Sequence, residues 1–133
     1  MRYLSRDIVC ALIRLARVLE TKVDVVEPDP GSNPTDDQSR GVIEDYADDP
    51  TAGELTRLID ELDVDSSAEL VALFWIGRGD FTRDEHAAAI TEARRSDFRT
   101  TARYLIGKPL LAEHLEAGLA AFGLACDEEI GPT

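Results

Sequence analysis

Apolar residues at Ile8, Leu12, Leu15 and Leu19 step by four, three and four, the spacing of one helical face, and Ser5 stands where an N-cap belongs. A first helix over about residues 5–22 follows, with Arg14 and Arg17 off the stripe, solvated or paired with the acidic stretch that comes next. The pattern dissolves over residues 23–40, where Glu27-Pro28-Asp29-Pro30-Gly31-Ser32-Asn33-Pro34 brings three prolines and a glycine that forbid regular structure. This is a predicted loop, longer than compact domains usually carry. Weak order returns around residues 41–47. Asp49-Pro50 then supplies an N-cap and a first helical residue, and Leu55, Leu58, Ile59 and Leu62 continue at helical spacing to residue 62.

The next element is apolar without a break from Leu70 to Ile76. Ser66 and Glu69 in front of it read as a capping box, and Gly77 behind it as the helix stop. Periodicity alone allows a buried strand here, but the two end signals favour a helix, and a helix apolar on every side belongs at the centre of a core. Thr82 and Glu85 repeat the capping box, and Ala89, Ile90 and Ala93 carry a helix to Arg94-Arg95, cations suited to a helix C-terminus. Ser96 or Asp97 caps another, with Phe98, Ala102 and Leu105 on one face. Pro109 opens the last helix, Leu111, Leu115, Leu119 and Phe122 line it, and Gly123 ends it. No run alternates with period two. The predicted fold is all-α: one domain of about six or seven helices over residues 1–133, in orthogonal or bundle-like packing, with an acidic loop at 23–40 and a flexible acidic tail at 127–133.

A chain of 133 residues has the usual size of one domain and buries roughly two thirds of its unfolded surface. Charge changes the picture more. There are 27 acidic side chains against 14 basic ones, a net charge of −13, and residues 23–65 alone hold fourteen acids and two bases. A field of that sign repels phosphate backbones and anionic lipid surfaces, so nucleic acid and membrane are set aside as partners. Cationic partners such as a basic protein, divalent ions, or simple solubility remain, and self-association is the other partner expected. Cys10 and Cys126 lie far apart in apolar helical surroundings and read as reduced, buried hydrophobes rather than half of a disulfide each. The apolar run 8–13 is too short for a secretory signal and no stretch approaches membrane-spanning length, which makes a cytoplasmic location the expectation.

Signs of chemistry are few. Asp63-Val64-Asp65-Ser66-Ser67 imitates the start of a calcium loop, but Ala68 stands where the turn needs glycine and Phe74 where a bidentate glutamate is required. His86 and His114 make no paired zinc motif; His86 shares a face with Ile90 and Ala93 and reads as a structural histidine. No cofactor, metal site or catalytic residue is expected, and whether the chain is an enzyme stays open. The segment Trp75-Ile76-Gly77-Arg78-Gly79-Asp80-Phe81-Thr82 stands out. A guanidinium between two glycines, beside the start of the next helix, is placed to receive an anion, or else to pair with a carboxylate at a helix end. The candidate ligand-binding residues are Trp75, Arg78, Asp80, Arg103 and Tyr104.

Around these residues, Leu70-Val71-Ala72-Leu73-Phe74-Trp75-Ile76-Gly77-Arg78-Gly79-Asp80-Phe81, Tyr104-Leu105-Ile106-Gly107-Lys108-Pro109-Leu110-Leu111-Ala112 and Leu115-Glu116-Ala117-Gly118-Leu119, together with the segment 29–34, resemble a family of short uncharacterised bacterial proteins, a domain of unknown function. The resemblance implies a bacterial cytoplasmic domain over most of the chain and transfers no activity, cofactor or site. Two functional expectations remain: a non-enzymatic helical protein-interaction module, and a small-molecule or anion-binding enzyme or sensor centred on Arg78.

Overall fold

A computed structural model of the chain describes residues 1–26, 49–96 and 100–126. Within them the fold is all-helical, with no strand: α1 Arg6–Val26, α2 Pro50–Asp60, α3 Val64–Arg78, a 3₁₀ turn Arg83–Glu85, α4 His86–Arg95, α5 Thr101–Ile106 and α6 Leu111–Ala121. The predicted proline-rich stretch beyond residue 26, the weak order at 41–47, Phe98 and the tail at 127–133 lie outside the described residues. Residues 23–26, read as loop, form the last turn of α1.

Helix α3 is the centre of the fold. Every residue from Ala68 to Ile76 is buried, so the helix has no solvent face and must be surrounded. Helix α6 lies antiparallel against it, α4 packs on another side, α1 lies against α6, and α2 packs on α1 and α5. The α3–α6 contact is close because both helices present glycine at the crossing. A Cβ at Gly77 would land inside the carbonyl of His114 and 2.8 Å from the Gly118 nitrogen, and one at Gly118 would meet the Leu73 carbonyl and come within 2.8 Å of Leu73 Cγ. Gly77 is therefore an interior helical residue, not the predicted stop. Gly79, at φ +100°, takes the left-handed position and ends α3, with its N–H donating to Trp75 and Ile76 carbonyls.

Several helix starts differ from expectation, each for a local reason. Asp63 caps α3 by accepting from Ser66 N at 2.8 Å, so the helix begins before the predicted capping box. Asp49 caps α2 through Thr51 N and Ala52 N, and Ser5 caps α1 through Ile8 N, both as read from the sequence. Thr100, rather than Ser96 or Asp97, caps α5. Helix α6 does not open on Pro109: Leu110 precedes it at φ 59°, and Glu20, reaching across from α1, accepts from Ala112 N at 3.1 Å. On α1 the buried face is Val9, Leu12, Ile13, Ala16 and Leu19, rotated from the predicted stripe, and Ile8 faces out.

The cysteines correct a further expectation. Cys10 and Cys126, 116 residues apart, form a disulfide with 5.7 Å between their Cα atoms. Antiparallel packing of α1 and α6, held also by an Arg17–Glu116 ion pair and by Arg6 donating to the Ala125 carbonyl, brings the far ends of the chain together after a left-handed turn at Gly123. Their separation along the sequence conceals this return, so local periodicity shows each only as an isolated buried hydrophobe. A cross-link closing so long a loop restricts the unfolded chain and stabilises by about 2–4 kcal/mol. Disulfides are uncommon in reducing compartments, so the pairing lends no support to the expected cytoplasmic location. Among the described residues no helix is long and apolar enough to cross a membrane.

The glycine crossing predicts that Gly77→Ala and Gly118→Ala each lower the unfolding free energy by about 1–3 kcal/mol, because the added carbon has no room. Gly53, exposed inside α2 with nothing within 4 Å of a Cβ, serves as the control: its change to Ala raises stability by about 0.5–1 kcal/mol. Urea unfolding followed through Trp75 fluorescence measures both. A second prediction concerns Asp63, whose carboxyl is held below the ordinary aspartate value by the backbone N–H and then the side chain of Ser66. A depressed folded value means that this contribution is present above the ordinary carboxyl range and disappears as pH falls through the folded one. Asp63→Asn retains a cap acceptor but cannot titrate, so the stability difference between wild type and variant should shrink on acidification. A difference independent of pH would contradict the assignment.

Candidate functional site

Three places on the described structure hold side chains beyond the needs of a simple core. The first is the cluster read from the sequence. Trp75, buried on α3, donates from Nε1 to Tyr104 Oη on α5 at 3.0 Å and stacks on Phe81, ring centres 5.7 Å apart. Phe74 meets Tyr104 edge-on at 6.5 Å and His114 at 5.5 Å. Two cations cover this aromatic ground: Arg78 lies over the Phe74 ring at 4.8 Å and Lys108 Nζ over Tyr104 at 4.4 Å.

Four of the five candidate residues, Trp75, Arg78, Asp80 and Tyr104, thus belong to one connected cluster. Arg103 does not join it: its side chain is exposed, and its backbone N–H donates to the Thr100 hydroxyl. Phe74, Phe81 and Lys108 join unpredicted; Lys108 carried only the signal of being one of two lysines. The Arg78 guanidinium is already engaged. Its Nε lies 2.8 Å and its Nη2 2.6 Å from Asp80 Oδ2, an arrangement permitted by the left-handed turn at Gly79 between them. The edge of the fork that an oxyanion would occupy holds a carboxylate of the protein, which cancels the field that would draw an anion in.

The second place is hidden in the sequence, where the spacing of its central residue, Glu69, from Ser66 is that of a capping box. Glu69 is completely buried, and its side chain turns to the N-terminal segment instead of to its own helix. Oε1 accepts from Tyr3 N at 2.9 Å and Leu4 N at 2.7 Å, and Oε2 accepts from Arg2 N at 2.9 Å. Three successive N–H groups pointing at one carboxylate form a backbone nest, the means by which a buried charge escapes an otherwise severe desolvation cost. Ser66 adds a bond from Oγ to the Tyr3 carbonyl. His86 Nε2 stands 2.9 Å from Oε2, within ion-pair range but outside the angles of a formed hydrogen bond, so the contact is electrostatic and counts as a salt bridge when the ring is protonated. The other face of His86 meets Phe122 at 5.0 Å. The structural reading of His86 fits this placement, since the ring joins the N-terminal segment to the end of α6.

The third is a surface. Ile8, Ala11, Leu15 and Val18 follow one another along α1 at steps of three, four and three, bordering its buried face, with Leu15 itself packed against the core. Ile8 is 42% and Val18 45% exposed, with Ala11 and Leu15 half-buried between them. Helix α2, which packs on α1, exposes Glu54 and Asp60, and Glu61 follows at its C-terminal end; Glu54 and Glu61 pair with Arg57.

Residues 52–124 match the model of a family described as Protein of unknown function (DUF3775), more than half of the chain. The chain belongs to the DUF3775 family. Its matched region runs from the first turn of α2 to just past α6, and so contains the glycine crossing, Glu69, His86 and the aromatic cluster. Helix α1, with its exposed Ile8 and Val18, and both cysteines of the disulfide lie outside the DUF3775 match, as does the segment 29–34 that entered the sequence resemblance. No curated protein and no solved structure matches the chain.

The Glu69 nest predicts that Glu69→Gln loosens the N-terminal segment. An amide group keeps one acceptor but sets N–H against N–H at one of the three donors, a loss of about 1–3 kcal/mol. Amide exchange at Tyr3 and Leu4 should rise, while α5, remote from the nest, keeps its protection; equal exchange in both proteins would show that the carboxylate does not hold the segment.

Proposed function

We propose that this DUF3775 protein is a non-enzymatic helical interaction module that binds an amphipathic, basic helix of another protein across the outer face of α1. The observation that carries the reading is the pair of exposed apolar side chains on α1, Ile8 and Val18, continued between them by half-buried Ala11 and Leu15 at coiled-coil spacing along the border of the core face. Charge selects the partner. The chain carries −13 overall, with fourteen acids against two bases in residues 23–65, so a cationic helix is attracted while a second copy of this chain is repelled. An anion-binding enzyme or sensor at Arg78 has weaker support, because Asp80 already occupies two of its N–H groups.

A synthetic helical peptide with leucines on one face and lysines on the other is the probe. Binding is expected to weaken steeply with salt and to fall about tenfold or more in the Ile8→Glu, Val18→Glu double variant, the scale of losing apolar anchors at an interface. Trp75 fluorescence reports that the variant remains folded. Binding that ignores both substitutions, or a wild-type chain that dimerises at micromolar concentration without the peptide, would count against the proposal.

A further inference from the structure

The disulfide ties down a short segment that little else holds. After the left-handed turn at Gly123, the chain makes a backbone bond from Leu124 N to the Leu119 carbonyl, lends its Ala125 carbonyl to an exposed hydrogen bond from Arg6, and reaches Cys126. Leu124 is half-buried against the core. The bundle itself is closed by contacts that do not involve the sulfurs: the glycine crossing of α3 and α6, the Arg17–Glu116 pair, Glu20 on Ala112 N, and the Glu69 nest. The two sulfurs also differ in access, for Cys10 is 3% exposed on α1 whereas Cys126 is only half-buried, packed at the edge of the core.

We propose that Cys10–Cys126 is a reversible redox site that exchanges with dithiols, and that its reduction releases residues 123–126 as a strap while the helices stay packed. In the first step a dithiol thiolate attacks Sγ of the accessible Cys126; the S–S bond breaks, Cys10 leaves as a thiolate and takes a proton from water, and a mixed disulfide joins Cys126 to the reagent. The second thiol of the reagent, as thiolate, then attacks its own sulfur in the mixed disulfide and expels the Cys126 thiolate, which is protonated in turn. Two electrons pass to the protein, two cysteine thiols result, and the dithiol becomes a cyclic disulfide. The buried position of Cys10 disfavours attack there and directs the reagent to the rim. Without the bond, a half-exposed segment with two backbone hydrogen bonds is in the low-stability range of local opening, and its departure uncovers Cys10 and the apolar ground under Leu124.

The full chain is incubated with dithiothreitol in native buffer and followed by intact mass, far-UV circular dichroism and amide exchange. The mass is expected to rise by about two hydrogens, the helical signal to persist, and exchange at Leu124, Ala125 and Cys126 to quicken about tenfold or more while α3 and α4 remain the best-protected helices. Removal of the reductant in air should restore the original pattern, and Cys126→Ser should reproduce the reduced one. Resistance of the bond to dithiothreitol without denaturant, loss of protection across all helices on reduction, or a reduced protein whose strap exchanges as slowly as before would each overturn the proposal.

Discussion

Two helices whose backbones touch set the geometry of this protein. Gly77 and Gly118 leave no space for a side chain at the α3–α6 crossing, and the carbonyls of His114 and Leu73 fill the places where Cβ atoms would stand. Close packing here brings the side chains on either side of the crossing into register: Phe74 reaches His114, Leu73 lies against Gly118, and the aromatic cluster gathers at the C-terminal end of α3. Since α3 is buried on every side, the position of α6 fixes where α1 must lie, and α1 in turn positions α2. A protein interior is too dense to absorb a displaced helix without cost, so one crossing propagates through the whole bundle.

Polar groups complete the closure. The buried Glu69 carboxylate draws in the N–H groups of three consecutive residues, and His86 connects that nest to Phe122 past the end of α6. Glu20 does the same kind of work at the opposite end, satisfying an N–H of α6 that follows a left-handed leucine. In both cases a charged side chain on one element supplies a hydrogen-bond partner that another lacks, which ties elements together with directional contacts as well as apolar ones.

The DUF3775 match covers α2 to α6 and thereby the compact centre, while α1 and the disulfide stand beyond it. The apolar row of α1 and the disulfide both belong to helix α1 or the segment beyond α6, which lie together because the helices run antiparallel. The Arg78 segment, conspicuous as sequence, is satisfied internally by Asp80 and Phe74. Its two glycines serve the fold: one allows the helix crossing and the other ends the helix.

The sequence by itself determined the all-helical class, the buried character of residues 70–76, and the caps at Ser5 and Asp49, because these rest on spacing within a few residues. It also indicated that Trp75, Arg78 and Asp80 would be neighbours, being close along one helix end. Only tertiary structure decided what those residues touch. Glu69 and Ser66 have the spacing of a capping box, but Asp63 had already capped the helix, and a carboxylate released from that task serves a segment more than sixty residues away. Gly77 has the sequence appearance of a stop, yet its role is set by a helix that arrives much later in the chain. The pairing of Cys10 with Cys126 and the outward turn of Ile8 follow from how α1 is rotated against α6, a global packing choice that local periodicity does not encode.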